Sequence, residues 1–330
     1  MSIASGFDSL QTEANADPEA VKEARRRRNV FSDALEGLAD VVEVVPSGSV
    51  ARSTHKNPIH DVDLLVIFDF DQHPEWVQPG ESAEAALEHT RSETKRLLGN
   101  FGEDGKEVRI TGLRNHSVKC FLDKPDATDA FSVDLTPGIR RPAGGLWIPE
   151  KKSEDWIASD PEKLIELVAA RHEEWNQFRP LVRVLKIWNV VNGKVMKSLV
   201  LEVLALHYLP INDDRGQALE QFFTAAASAV VLPVCDPTGH CGEIQPKLDK
   251  EKAREALLEA ADLAWRANAA GARDEIATAR CLWNQVFGDA YPKPPGGCTG
   301  TGVSAVGAAA ATVAGLVARP KRPIRDAPQG

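Results

Sequence analysis

Asp61 and Asp63 flank Val62 at the head of an apolar run, Leu64-Leu65-Val66-Ile67-Phe68, and Pro46-Ser47-Gly48-Ser49 stands shortly before them. Successive side chains of a strand point to opposite faces, so Asp61 and Asp63 point the same way. Two carboxylates side by side repel unless a cation lies between them. A hard cation such as Mg²⁺ takes oxygen ligands and is commonly held by one or two carboxylates plus substrate phosphates, so the pair reads as a metal cradle. Gly48 lets the backbone come close to a ligand, and Ser49 adds a hydroxyl and an N–H at the same point. A third acid is available in Phe131-Ser132-Val133-Asp134-Leu135, where alternation puts Asp134 on the face opposite Phe131, Val133 and Leu135. An Asp-x-Asp by itself also fits a buried strand whose acids merely cap its end; Gly48-Ser49 and Asp134 together favour the metal reading.

The elements that must position these residues follow from local signals. Asp17-Pro18 marks an N-cap and first helical residue of a helix running towards Leu38. Its run Arg25 to Arg28 reads as a solvated helix face rather than a phosphate patch. Val41 to Val45 is a short strand delivering the Gly48-Ser49 turn, and Asp61 to Phe70 is the strand after it. Ser82 to Leu98 is helical and stops at Gly99 or Asn100. Strands are expected at Val108 to Thr111 and Val118 to Leu122, and the Asp134 strand completes an α+β lobe over residues 1–145.

From Ile157 the pattern turns helical. Asp160-Pro161 is a second N-cap and N1 pair, and Leu181, Val184, Leu185, Trp188 and Val191 form an apolar stripe that Lys186 lies off. Ser198 is placed to cap a helix through Leu209, and Asp249 one through Trp265. A last helix carries Leu282, Trp283, Val286 and Phe287 before Gly288. A helical domain over 146–292 results, followed at 293–330 by a Pro, Gly and Ala-rich tail with too few large apolar groups to order itself.

The net charge of −9 argues against broad binding to nucleic acid, which depends on Lys and Arg neutralising phosphates. Met1 to Ala20 has no apolar core, so no signal peptide is expected, and Gly302 to Ala318 falls short of a spanning helix. Cys120, Cys235, Cys241, Cys281 and Cys298 are an odd, scattered set, which predicts a reducing, cytoplasmic setting rather than a disulfide framework. Cys235, His240 and Cys241, with Cys281 as a fourth, could ligate zinc, but the spacing fits no common zinc pattern and ordinary thiols are expected.

Gly48-Ser49, Asp-x-Asp and Asp134 resemble the signature of DNA polymerase β-like nucleotidyltransferases. Arg179-Pro180-Leu181 through Trp188-Asn189, followed by Lys197-Ser198, narrows this to the CD-NTases, the cGAS/DncV-like bacterial enzymes. Ile148-Pro149, Asp155-Trp156-Ile157, Asp236-Pro237 and Trp283 with Val286-Phe287-Gly288 match the same family. The resemblance implies a polymerase β-like lobe of mixed sheet and helices plus a C-terminal helical lobe, with the active site in the cleft between them. It implies Asp61, Asp63 and Asp134 as catalytic, metal-binding acids for two Mg²⁺ ions, for which Mn²⁺ can substitute. Gly48, Ser49, Lys186 and Ser198 correspond to positions touching nucleotide phosphates. The implied reaction makes cyclic di- or trinucleotide messengers from nucleoside triphosphates, in bacterial anti-phage (CBASS) signalling, with the effector protein reached only through the product. In part of the family a C-terminal glycine, here Gly330, is conjugated by a ubiquitin-ligase-like partner. A CCA-adding-type RNA nucleotidyltransferase and a protein or small-molecule adenylyltransferase share the acids. The −9 charge counts against the first and the helical motifs against the second.

Overall fold

The computed structural model describes residues 2–298 apart from 79, 100, 104, 128 and 129. Most of the expected tail, with Gly302 to Ala318 and the conjugation site Gly330, lies outside the described residues. The helices are α1 (Ile3–Ala14), α2 (Pro18–Glu36), α3 (Gly48–Ala51), α4 (Ser82–Leu98), α5 (Pro161–Glu174), α6 (Phe178–Val191), α7 (Ser198–Tyr208), α8 (Arg215–Ala229), α9 (Lys250–Ala272) and α10 (Ile276–Phe287). The strands are β1 (Val41–Ser47), β2 (Asp61–Phe68), β3 (Ile110–Leu113), β4 (Val118–Phe121), β5 (Ser132–Arg140), β6 (Leu146–Glu150) and β7 (Asp155–Ser159). They form two compact units. One comprises Ala16–Arg179 with Cys235–Gly242; the other comprises the N-terminus to Asn15, Pro180–Val234, and the chain from Glu243.

The first unit is built on one mixed sheet of order β1-β2-β5-β4-β3, with β6 pairing β5 and β7 pairing β6. Only β2 and β5 run parallel. Both faces of β2 are apolar beyond its first turn of residues. Val62, Leu64, Val66 and Phe68 join a core with Phe31 and Leu35 of α2 and Leu87 of α4, and Val118, Cys120, Val133 and Leu135 enter it from β4 and β5. Burial of each large aliphatic or aromatic side chain there contributes about 1.5–3 kcal/mol. Leu65 and Ile67, on the opposite face, pack on Leu146 and Ile148 of β6. The strands β6 and β7 correct the expected boundary at 145/146. Ile139↔Trp147 and Arg140↔Leu146 continue the sheet, so 146–159 stays with the first unit and the division falls inside α6.

Helix starts follow the sequence signals. Asp17 accepts from the Glu19 N–H, Asp160 from Lys163 and Asp249 from Lys252, each relieving a donor that the first turn leaves unpaired. Ser198 departs from expectation: Lys197 occupies the cap position of α7 and Ser198 is the first helical residue.

The second unit packs α7 to α10, with α1 laid on α10. Helix α1 has no counterpart among the expected elements. Its Phe7 meets Trp283 and Tyr291 edge-on, at 5.0 and 5.3 Å between ring centroids, and the Tyr291 hydroxyl donates to the Ile3 carbonyl at 3.0 Å. The start of the expected tail is also tied down. Arg280 donates to the carbonyls of Pro292 and Lys293, and Cys298 forms a disulfide with Cys281. That bond corrects the expectation of uniformly reduced thiols and removes Cys281 as a zinc ligand. Among the described residues no helix is long and apolar enough to cross a membrane.

Candidate active site

Register explains how distant acids meet. Asp63 pairs with Ser47 across β1 and β2, with Asp134 across β2 and β5, and Asp134 pairs with Lys119 across β5 and β4. Residues in register share a face, so Ser47, Asp63, Asp134 and Lys119 form one row across four strands. Asp61 lies on the same face two residues before Asp63. The row occupies the face turned away from α2 and α4, because the alternating neighbours Val62, Leu64, Val133, Leu135, Val118 and Cys120 all enter the helix-covered core.

Gly48 ends β1 against this row. Its φ is +69°, a region that glycine enters without steric cost, and a Cβ there would collide with the Asp63 carboxylate. Ser49 follows in α3, and its carbonyl accepts from the N–H groups of Thr54 and His55 at 2.9 and 3.2 Å, which fixes the turn after β1.

Lys119 is a site residue that the sequence reading missed. Its Nζ is 3.0 Å from Asp134 Oδ2 and 3.9 Å from Asp61 Oδ2. The available signal was the alternation of Val118, Cys120 and Leu122, which sends Lys119 to the other face; only the β4–β5 pairing tells that this is the acid face. Burial, with the charges of Asp61 and Asp134, pushes the Asp63 carboxyl up to about 7 against the opposing pull of Arg52 and Lys119. Burial raises Asp134 as well, opposed by Lys119. Asp134 Oδ1 is buried without a hydrogen-bond partner. Three acids on one face, one with an orphaned oxygen and one driven to hold its proton, suit a hard divalent cation, which would take these oxygens and remove the repulsion.

The raised Asp63 value has a measurable consequence. An unfolded Asp releases its proton near 3.8, and folded Asp63 holds it to about pH 7. Between these the folded state carries the extra proton, so the contribution of Asp63 to stability falls as pH rises from about 4 to about 7. In thermal unfolding of EDTA-treated protein, the advantage of Asp63→Asn over wild type should therefore widen across that window. A difference independent of pH would remove the repulsion argument.

Gly48, Ser49, Asp61, Asp63 and Asp134 are brought together in the sheet unit. Lys186 and Ser198 belong to the helical unit. Lys186 is buried, against the expectation of a position off the packed stripe, and its Nζ lies 2.8 Å from Oε2 of the equally buried Glu202 on α7. Arg26 and Arg27 engage Glu23, Glu107 and Asp123, in keeping with the solvated-face reading of that run. In the Cys235, His240 and Cys241 loop, His240 Nδ1 lies 2.8 Å from Arg141 and Cys241 Sγ lies 3.2 Å from Asp236 Oδ2.

A family model described as the Second Messenger Oligonucleotide or Dinucleotide Synthetase domain, SMODS, matches residues 1–171, more than half of the chain. The chain belongs to this family. As a SMODS protein it is a nucleotidyltransferase of the CD-NTase kind, as its residues led us to expect, and such enzymes generally depend on divalent metal. It is similar to a probable cyclic nucleotide synthase of Bacillus cereus (strain VD146), 23% identical over 87% of this chain and 97% of that protein. It is also similar to a cyclic AMP-AMP-AMP synthase of Acinetobacter sp. (strain ATCC 27244 / 9458), 24% identical over 57% of each. In fold, the SMODS chain resembles E. coli MS115-1 CdnC, solved with ATP, at a TM-score of 0.68 and 16% identity, covering 88% of this chain and 99% of that one.

Proposed function

We propose that this SMODS chain joins nucleoside triphosphates into cyclic di- or trinucleotides, using Asp61, Asp63 and Asp134. The observation that carries the reading is the row in which Asp63 and Asp134 face each other across parallel strands, with Asp61 on the same face and Gly48 against Asp63. The names of the Bacillus and Acinetobacter relatives support the cyclic product.

In each step a ribose hydroxyl oxygen of the acceptor attacks the α-phosphorus of a triphosphate. An O–P bond forms, the bond to the bridging oxygen breaks, and pyrophosphate leaves. A last transfer, the second for a dinucleotide and the third for a trinucleotide, closes the ring on the linear intermediate turned round in the site. When bound, two Mg²⁺ ions supply acidification of the hydroxyl and neutralisation of the departing pyrophosphate. Asp61 and Asp63 would hold them and Asp134 would complete the acceptor side. Asp134 is also suited to receive the hydroxyl proton, because burial raises its proton affinity and its Oδ1 is unpartnered. Lys119, beside both Asp134 and Asp61, balances the acids before substrate arrives. Gly48, Ser49 and Ser198 are assigned to the phosphates by the family resemblance, and the close approach of Gly48 to Asp63 is consistent with that role. Lys186 would have to leave Glu202 to join them.

The role of the product as a second messenger in anti-phage defence, a cytoplasmic setting, and conjugation through Gly330 belong to the same proposal and rest on the family resemblance. Mass spectrometry of products made from all four ribonucleoside triphosphates with Mg²⁺, with and without tRNA, tests the reading. Cyclic oligonucleotides formed without tRNA are expected. Nucleotide added only to tRNA would replace this function with an RNA-extending one.

A further inference from the structure

We propose that Asp40, His73 and His89 form a second metal site, for a divalent transition metal of the zinc class. Among the described residues these three are the His, Cys, Asp and Glu trio whose ligand atoms all lie within 4.8 Å of one another. Nε2 of His73 is 2.9 Å and Nε2 of His89 is 2.7 Å from Oδ2 of Asp40. Two imidazole nitrogens and one carboxylate oxygen are the donors that borderline-soft divalent ions take, whereas the all-oxygen set of Asp61, Asp63 and Asp134 suits a hard cation.

Three observations favour a metal over a cluster that only hydrogen-bonds. The ligands come from three segments that the fold clamps independently of the cluster. Asp40 precedes β1, and its carbonyl accepts from the Asp69 N–H at 2.9 Å. Gln72, just before His73, donates to the Ala39 carbonyl at 2.8 Å, and His89 rides on α4. Second, Oε1 of Glu75 lies 3.6 Å from Nδ1 of His73. That distance is an ion-pair contact rather than a hydrogen bond, and it places a carboxylate charge beside the nitrogen turned away from Asp40, on the side from which outer carboxylates orient metal-bound imidazoles. Third, the cluster has a rigid apolar wall on one side and an opening on the other. Trp76, 2% exposed, stacks on His73 at 3.9 Å, Phe68 meets both imidazoles edge-on, and the His89 side chain keeps 33% of its surface exposed. Three protein ligands with one accessible side leave a position for water or a fourth donor.

The site lies at the Phe68 end of β2, and the catalytic acids lie at its Asp61 end. Five residues of strand separate Asp63 from Phe68, roughly 16 Å at ~3.3 Å per residue, so the two ions would not share a ligand. A metal here would clasp the α2–β1 turn, the exit of β2 and α4 together.

The test uses the full chain stripped with EDTA, with Co²⁺ and Zn²⁺ as probes. One equivalent of Co²⁺ should give the visible absorption of a low-coordinate, imidazole-ligated ion. Zn²⁺ should displace it and millimolar Mg²⁺ should not. Asp61→Asn with Asp63→Asn should keep the signal, His73→Gln with His89→Gln should abolish it, and Glu75→Gln should weaken affinity about ten- to a hundredfold. In the wild-type protein, independently of any variant, the side-chain nitrogen resonances of His73 and His89 should shift with Zn²⁺. Absorption of aqueous Co²⁺ alone, unmoved histidine resonances, or undiminished binding by the folded histidine double variant would overturn the site.

Discussion

Asp61→Asn with Asp63→Asn abolishes nucleotidyl transfer while the protein stays folded and, in EDTA, melts at a higher temperature than wild type. The two effects have one origin. The carboxylates share a face with Asp134, and their repulsion with burial holds Asp63 at about 7. Replacing them removes a penalty on the order of a few kcal/mol at pH 8. The same replacement removes the oxygens proposed to hold the divalent ions. Metal stabilisation of a phosphoryl transition state is worth several kcal/mol, and ~4 kcal/mol is about a thousandfold in rate. Pyrophosphate release and thermal unfolding on one preparation measure both. A folded double variant that retains a tenth of wild-type activity would exclude these acids from catalysis.

Lys186→Met lowers stability sharply. Lys186 and Glu202 are buried together as an ion pair, and breaking such a pair from one side typically costs about 3–5 kcal/mol, a fall in Tm of roughly 10 °C. Lys186→Met combined with Glu202→Met should recover most of that loss, because a pair of apolar residues replaces a buried ion pair with little cost. The double variant also decides the second role expected of Lys186. If Lys186 leaves Glu202 to touch a triphosphate, the restored protein has a raised KM for nucleotide; if the pair is structural only, activity returns with stability. A Lys186→Met protein that melts like wild type would show that the pair contributes little to the stability of the fold.

Capping and alternation are local, and they carried far. Asp17, Asp160 and Asp249 open helices because each carboxylate accepts from an N–H of the first turn, and after the first two a Pro is pre-set for helical φ. Asp61 and Asp63 share a face for the same short-range reason. Lys119 was not legible, because its role depends on β4 lying beside β5 in one particular register. Helix α1 was missed because Phe7 finds its partners near the far end of the chain, where Trp283 and Tyr291 pack on it. The stripe on α6 was drawn too narrow and one residue too long. Val182, Lys186 and Ile187 are buried along with it, so the helix is enclosed on nearly all sides, while Val191, on the stripe, is exposed at its end. Residues 146–159 lacked the length of a confident strand signal, and their partner β5 supplied the order.

The parallel pairing of β2 with β5 also sets when the site comes into being. Asp63 and Asp134 stand opposite each other, yet about seventy residues of chain, with α4 and a strand pair, must close into a loop before they meet. Such a non-local contact pays its loop-closure entropy before it gains anything, unlike the contacts within helices and hairpins. A growing or partly unfolded chain therefore carries the acids as separate, ordinary carboxylates, with neither the proton hold of Asp63 nor a place for paired ions. The proposed site is therefore a property of the closed sheet and of none of its strands alone.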